Sequence, residues 1–198
     1  RMLTNTQLAA LFNDIAGRED ILGENAFKIR AYRNVAEVID NFPRPMRDVW
    51  QAGELDGVPG IGKEIAKKID ELMRTGKLDY FERLRVKVPD GVAALLAVPD
   101  LGPKRVKLIW ETLGVTDLDA LEAAAQAGKL RDLPKMGAKT EQRILAGIVA
   151  LRARPVGRTR LGDALPIALG IVAALKGVPG VEKIDYAGSL RRGRETIG

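Results

Sequence analysis

Two stretches of this sequence gather residue types that can do chemistry. Lys63, Lys67 and Lys68 stand close together in Gly62-Lys63-Glu64-Ile65-Ala66-Lys67-Lys68-Ile69-Asp70-Glu71, and the earlier run Phe27-Lys28-Ile29-Arg30-Ala31-Tyr32-Arg33 adds further cations and a phenol. Packed together, these would form a basic pocket that holds a phosphate while presenting an amine. A lysine that is desolvated or crowded by other cations becomes a nucleophile for Schiff-base chemistry. A solvated basic helix face is the plainer reading of the same run. The second stretch closes the chain: Tyr186-Ala187-Gly188-Ser189-Leu190-Arg191-Arg192-Gly193-Arg194-Glu195-Thr196-Ile197-Gly198. A Gly-Ser turn beside several arginines suits a triphosphate, and a basic surface loop is the alternative.

Much other chemistry is excluded by composition. The 198 residues include no Cys and no His. That removes disulfide frameworks, thiol nucleophiles, zinc ribbons, Ser–His triads and His-ligated metals. The formal charge of +6 favours a polyanionic partner, nucleic acid or acidic lipid. The longest apolar run, Ala164 to Leu175, is too short to span a bilayer, which needs about 20 residues. No segment pairs a broad apolar face with a fully basic one, and no secretory signal opens the chain. The expectation is a soluble, cytoplasmic, monomeric protein that keeps away from membranes.

A repeat carries the strongest signal. Val58-Pro59-Gly60-Ile61-Gly62-Lys63, Val98-Pro99-Asp100-Leu101-Gly102-Pro103-Lys104 and Leu133-Pro134-Lys135-Met136-Gly137-Ala138-Lys139 start 40 and 35 residues apart, and each leads into a helical pattern. A glycine turn lets the backbone approach a ligand without a Cβ in the way. The turn feeds a helix N-terminus, whose free N–H groups and dipole attract an anion, and the lysine adds a charge-assisted contact. Such contacts read a nucleic-acid backbone rather than its sequence and weaken steeply with salt. One copy could equally be a hairpin that only turns the chain; three copies, each with a basic residue entering the helix, favour phosphate binding. Val178-Pro179-Gly180-Val181 lacks the second glycine and is set aside.

Short amphipathic helices must position these residues. Leu8, Leu11, Phe12 and Ile15 fall at helical spacing behind a Thr4 cap; Phe27, Ala31, Val35, Val38, Ile39 and Phe42 follow, ended by Asn41, Pro43 and Pro45. Further stripes run through Ile65, Ile69 and Leu72, through Val106, Ile109 and Leu113, and through Ile144, Ile148 and Leu151. A helix from about Asp163 to Leu175 with Pro166 in its first turn is expected, then one strand from Val181 to Ala187. The chain changes character at Arg154-Pro155-Val156-Gly157, where a boundary is placed.

The three turns resemble helix-hairpin-helix motifs, which often hold a monovalent cation with backbone carbonyls. Gly188-Ser189-Leu190-Arg191-Arg192-Gly193 with Glu195 and Gly198 resembles the palm signature of family X DNA polymerases. Gly60-Ile61-Gly62 with Lys67-Lys68-Ile69-Asp70-Glu71 and Thr75-Gly76-Lys77-Leu78 is similar to that family's deoxyribose-phosphate lyase domain. The paired later hairpins look like the bacterial branch, whose members usually add a C-terminal PHP-type metallophosphoesterase domain.

The resemblance implies roles residue by residue. Lys68 falls at the Schiff-base lysine, Lys28 at the phosphate pocket and Tyr32 beside the nucleophile. Arg33, Gly60, Gly62, Lys63, Lys67, Gly102, Lys104, Gly137 and Lys139 are the further expected DNA-phosphate contacts. Gly188, Ser189, Arg192 and Gly198 would serve the incoming nucleotide, and an Asp-x-Asp pair that binds two magnesium ions is expected directly after Gly198. Asp56 and Glu64 stand where the family carries basic residues.

The fold class expected is mainly α: a lyase-like helical domain over 1–84 with the first hairpin, a helical DNA-binding domain over 85–157 with two more, and the start of an α/β nucleotidyltransferase palm over 158–198. The function expected is the N-terminal part of a gap-filling polymerase of base-excision repair, without polymerase activity by itself. Its partner would be gapped or nicked DNA, with deoxynucleoside triphosphate joining in the intact protein. A non-catalytic DNA-binding module and a lyase acting through Lys68 are the alternatives.

Overall fold

A computed structural model describes residues 3–153, 159–176, 184–185 and 196–197. It divides into two compact units, Arg1–Arg152 and Ala153–Gly198. The first unit is helical. Helix α1 (Asn5–Leu22) starts at Thr4, whose side chain accepts from the Gln7 amide while Gln7 reaches back in a capping box. It stops at Gly23, which adopts φ 81°. Helix α2 (Ala26–Asn41) is capped by Asn25 and ends at an extended Phe42 before the prolines. Then come α3 (Met46–Gln51), a short 3-10 turn (Leu55–Gly57), α4 (Lys63–Thr75) and α5 (Asp79–Lys87).

Beyond α5 the pattern recurs: α6 (Asp90–Ala94), a second 3-10 turn (Leu95–Ala97), α7 (Pro103–Leu113), α8 (Leu118–Gln126) and α9 (Ala138–Ala153). Two hydrophobic cores form within this unit. One gathers Phe12, Ile15, Val35, Ile39, Met46 and Ile69; the other gathers Val92, Leu95, Val106, Ile109, Leu121, Ile144 and Ile148. Burying each such side chain contributes about 1.5–3 kcal/mol. Helix α1 serves both, since Phe12 and Ile15 enter the first core and Ile21 the second.

A buried arginine ties the cores together. Arg18, on α1, donates to Asp14 at 2.8 Å, to Asp90 at 2.7 Å and to the Val88 carbonyl. Arg85 also pairs with Asp90, and both guanidinium groups lie against the Phe81 ring, at 5.5 and 5.9 Å. The hydrogen bonds from Arg85 and Arg18 hold the Asp90 carboxyl well below the usual carboxylate range.

The buried face of α2 differs from the expected one. It is formed by Ile29, Tyr32, Val35, Ala36 and Ile39, whereas Phe27 is 77% exposed and Ala31 is exposed too. Ile29, Tyr32, Ala36 and Ile39 keep strict i, i+3, i+7, i+10 spacing, so this stripe stays on one side of the helix, which Phe27 and Ala31 leave.

The second unit contains α10 (Leu161–Leu175) and a two-stranded antiparallel ladder, β1 (Thr159–Arg160) with β2 (Thr196–Ile197). Helix α10 begins before the expected Asp163, so Pro166 is its sixth residue rather than part of the first turn. Of the strand expected over Val181–Ala187, Ile184 and Asp185 carry no regular structure and the rest lies outside the described residues. The boundary segment Arg154–Gly157 also lies outside them.

Candidate nucleic-acid interface

The three repeated turns share one backbone path. In each, an apolar residue precedes proline and its carbonyl accepts from the amide three residues on: Ile61 to Val58 at 3.0 Å, Leu101 to Val98 at 3.2 Å, Met136 to Leu133 at 3.1 Å. Those six apolar side chains are buried and anchor the turns. The residue after proline takes the left-handed conformation in every copy, with φ 90° at Gly60, 64° at Asp100 and 60° at Lys135. No other non-glycine residue among those described has positive φ. At Gly60 the requirement is double, because a Cβ would also lie 2.9 Å from Val38 Cγ2.

The second glycine of each turn behaves differently. Gly62 and Gly102 are the residues before α4 and α7 and have φ −78°, open to any amino acid; Gly137 holds the same place before α9. A Cβ at any of the three would meet nothing within 4 Å. No contact inside the protein therefore requires glycine there. The space that a Cβ would take lies outside, at the helix N-termini. No side chain caps α4 or α7, whereas α1, α2 and α8 are capped by Thr4, Asn25 and Asp117. The uncapped first-turn N–H groups thus face the surface.

Lys63, Lys104 and Lys139 are exposed in the first turns of α4, α7 and α9. The copies differ in charge. At the first, Glu64 pairs with Lys67 at 2.8 Å, and that hydrogen bond holds its carboxyl below the usual range and raises the Lys67 ammonium. At the second, Arg105 Nη1 donates to the Asp100 carbonyl at 2.7 Å. At the third, the buried Glu141 carboxylate accepts from the amides of Leu130 (3.1 Å) and Arg131 (3.0 Å) and from the Arg131 guanidinium (2.6 and 2.8 Å). Burial opposes ionisation of Glu141, but the Arg131 and backbone hydrogen bonds outweigh it and its pKa lies below the usual value.

The lysine pocket is assembled around a residue that the sequence reading did not single out. Tyr80, on α5, has the Lys28 ammonium 5.4 Å and the Lys68 ammonium 5.0 Å from its ring centroid. Its ring stacks on Tyr32, and Tyr32 on Phe12, each at 6.2 Å. Tyr32 is buried, and burial, then Glu19 and Glu64, push its hydroxyl up to about 12. Lys68 Nζ lies 3.5 Å from the Glu64 carbonyl. Lys28 lies 3.0 Å from the buried Glu19 carboxylate, which also accepts from the Tyr80 hydroxyl.

The structure thus brings Lys28, Tyr32 and Lys68 together. Arg33 instead pairs with Asp20 at 2.6 Å. Asp56 lines a cleft of about 710 Å³ beside the first turn with Trp50, Lys63, Lys67, Asp70 and Arg74. Gly188, Ser189, Arg192 and Gly198 lie outside the described residues. Glu19, Tyr80 and Glu141 were missed because a lone acid or tyrosine inside an amphipathic helix gives no signal by spacing.

Comparison with known proteins agrees with the repeated turns. A helix-hairpin-helix domain model matches residues 3–78, and a SAM-like helix-hairpin-helix tandem model matches residues 92–149. The chain is 33% identical over 187 residues to the DNA polymerase/3'-5' exonuclease PolX of Bacillus subtilis (strain 168), a match that takes in 94% of this chain and 32% of that protein. It therefore spans about a third of that curated relative's length. With hairpins matched in both lobes and nearly every residue aligned, the chain is built on helix-hairpin-helix domains and is similar, over almost all of its own length, to part of that DNA polymerase.

Proposed function

We propose that this chain is the DNA-gripping part of a polymerase that fills gaps in base-excision repair, and that its three hairpin turns hold the sugar-phosphate backbone of gapped or nicked DNA. One observation carries the reading: Gly62, Gly102 and Gly137 recur at places where the protein itself leaves room for a side chain. A phosphate seated on the helix N-terminus is what that room would admit. The discriminating variants are Gly102→Ala and Gly137→Ala. Each should melt at or slightly above the parent temperature, since alanine costs the unfolded chain less entropy. Each should also lose about tenfold in affinity for gapped DNA, with a shallower salt dependence. Alanine variants that bind DNA as the parent does would sink the proposal.

Catalysis by the intact polymerase belongs to the same proposal. Gly188, Ser189, Arg192 and Gly198 would hold the triphosphate, and two magnesium ions would sit on carboxylates following Gly198. Among the described residues no group of three or more acidic side chains is placed to hold a metal. The described residues therefore do not fit a magnesium site, which the proposal leaves to carboxylates outside them. A monovalent cation at the hairpin carbonyls is a further part of the proposal; at the second turn it would compete with the Arg105 guanidinium.

Lyase activity is a second reading, favoured by the half-buried Lys68 amine beside Lys28 and Tyr80. The amine would condense with the C1′ aldehyde and lose water. Loss of the C2′ proton to solvent would expel the 3′-phosphate, and hydrolysis would free the sugar. Borohydride should trap the parent chain, but not Lys68→Ala, on DNA with a 5′-deoxyribose phosphate. An adduct that survives in the variant would remove Lys68 from this role.

A further inference from the structure

The cleft of about 710 Å³ beside the first turn has the size of a small-molecule site and is lined by residues of α3 and α4 and of the loop between them. Trp50, the fifth residue of α3, is half-buried there. Its indole N–H donates to Asp70 Oδ1 at 2.9 Å, and Asp70 Oδ2 pairs with Arg74 at 3.2 Å, so the ring is pinned from α4. Leu55 and Ala66, both buried, add apolar surface. Charges of both signs line the rest, Lys63, Lys67 and Arg74 against Asp56, Asp70 and Glu71. Most are already engaged: Lys67 pairs with Glu64, Glu71 accepts from the Asp79 amide, and Asp70 holds Trp50 and Arg74. The side chains of Lys63 and Asp56 have no partner among the described residues.

A cleft whose charges balance does not select an anion by its field alone. A pinned indole, apolar surface, one free cation and one free acceptor suit a nucleotide: its base is apolar on both faces and polar at the edge, and its phosphate is anionic. Lys63 opens α4 at the first hairpin, and Asp70, which holds the indole, follows seven residues on, about 10 Å along the helix. A single nucleotide is of that length from its phosphate to the far edge of its base. We infer that this cleft is a base-binding site: it takes one unpaired nucleotide of a DNA strand, with the phosphate at Lys63, the base stacked on Trp50 and Asp56 accepting from a base N–H. The inference rests on the DNA-binding reading above and adds that the first hairpin holds an unpaired nucleotide by its base as well as by its phosphate.

Trp50 and Trp110 are the two tryptophans of the chain, so the emission of a Trp110→Phe chain reports Trp50. That chain is titrated with an oligothymidylate and with an abasic strand of equal length, which keeps the sugar-phosphate backbone and lacks the bases. The oligothymidylate should quench the emission saturably, and the abasic strand should bind without the quench. In the parent background, Trp50→Ala should lose about tenfold in affinity for the oligothymidylate, the worth of a stacked base, and nothing for the abasic strand. Emission that neither bound strand quenches, or that both quench alike, overturns the inference and leaves the phosphate reading standing. A folded Trp50→Ala that binds the oligothymidylate as the parent does overturns it too. The emission measurement leaves Trp50 in place, so it decides the matter if Trp50→Ala fails to fold, and the affinity comparison decides it if Trp110→Phe does. Binding to neither strand would remove the DNA-binding reading, and this inference with it, an outcome distinct from binding without a quench.

Discussion

Lys135 occupies a backbone conformation that L-residues rarely adopt, at φ 60°, in a turn whose first copy uses glycine. The left-handed region costs a residue with a Cβ about 1–2 kcal/mol, less for Asp, whose side chain tolerates it. Lys135→Gly should therefore stabilise the chain by about 1 kcal/mol and Asp100→Gly by less. Urea unfolding measures both, and a destabilised Lys135→Gly would show that the lysine side chain holds the turn. The repeat itself was legible in the sequence, because Pro and Gly at fixed offsets follow from the turn's geometry. That the position after proline is left-handed in all three copies was not, since Asp100 and Lys135 conceal it.

At the scale of elements, the third hairpin is held by an acid in the fourth position of α9. Glu141 reaches back to two amides and a guanidinium of the loop before the turn. Its folded pKa lies below the unfolded value of about 4.5. Its contribution is therefore fully present above about pH 4.5 and is lost as pH falls through the depressed folded value. Glu141→Gln should cost about 2 kcal/mol at neutral pH, because the Arg131 pair is broken and amides lose their charged acceptor. The gap between variant and parent should narrow on acidification, as denaturation at pH 7 and at about pH 3.5 would show. A constant gap would mean that shape, not charge, joins loop to helix. Helix existence was readable here from periodicity; the direction of a face was less so, and α2 buries Tyr32 where Phe27 was expected. Tyr32 is admitted because its ring stacks with those of Phe12 and Tyr80, a long-range fact that no local spacing carries.

Across the larger unit, the two hairpin lobes follow one plan: a helix, a 3-10 turn, a left-handed residue, a glycine, then a helix with lysine at its start. The plan was visible in the sequence, and so was the pocket's cast of lysines. The acid that answers them was not, because burial of Glu19 depends on how α1, α2 and α5 meet. Helix α1 also settles how separable the lobes are. Phe12 and Ile21 lie on one helix and fill different cores, and Arg18 between them grips the α5–α6 joint. A recombination event that joined a foreign lobe at residues 84–85 would inherit half of a shared beam. The tandem lobe would arrive without the side chain that closes it, so heredity must pass the pair on together or rebuild α1 each time.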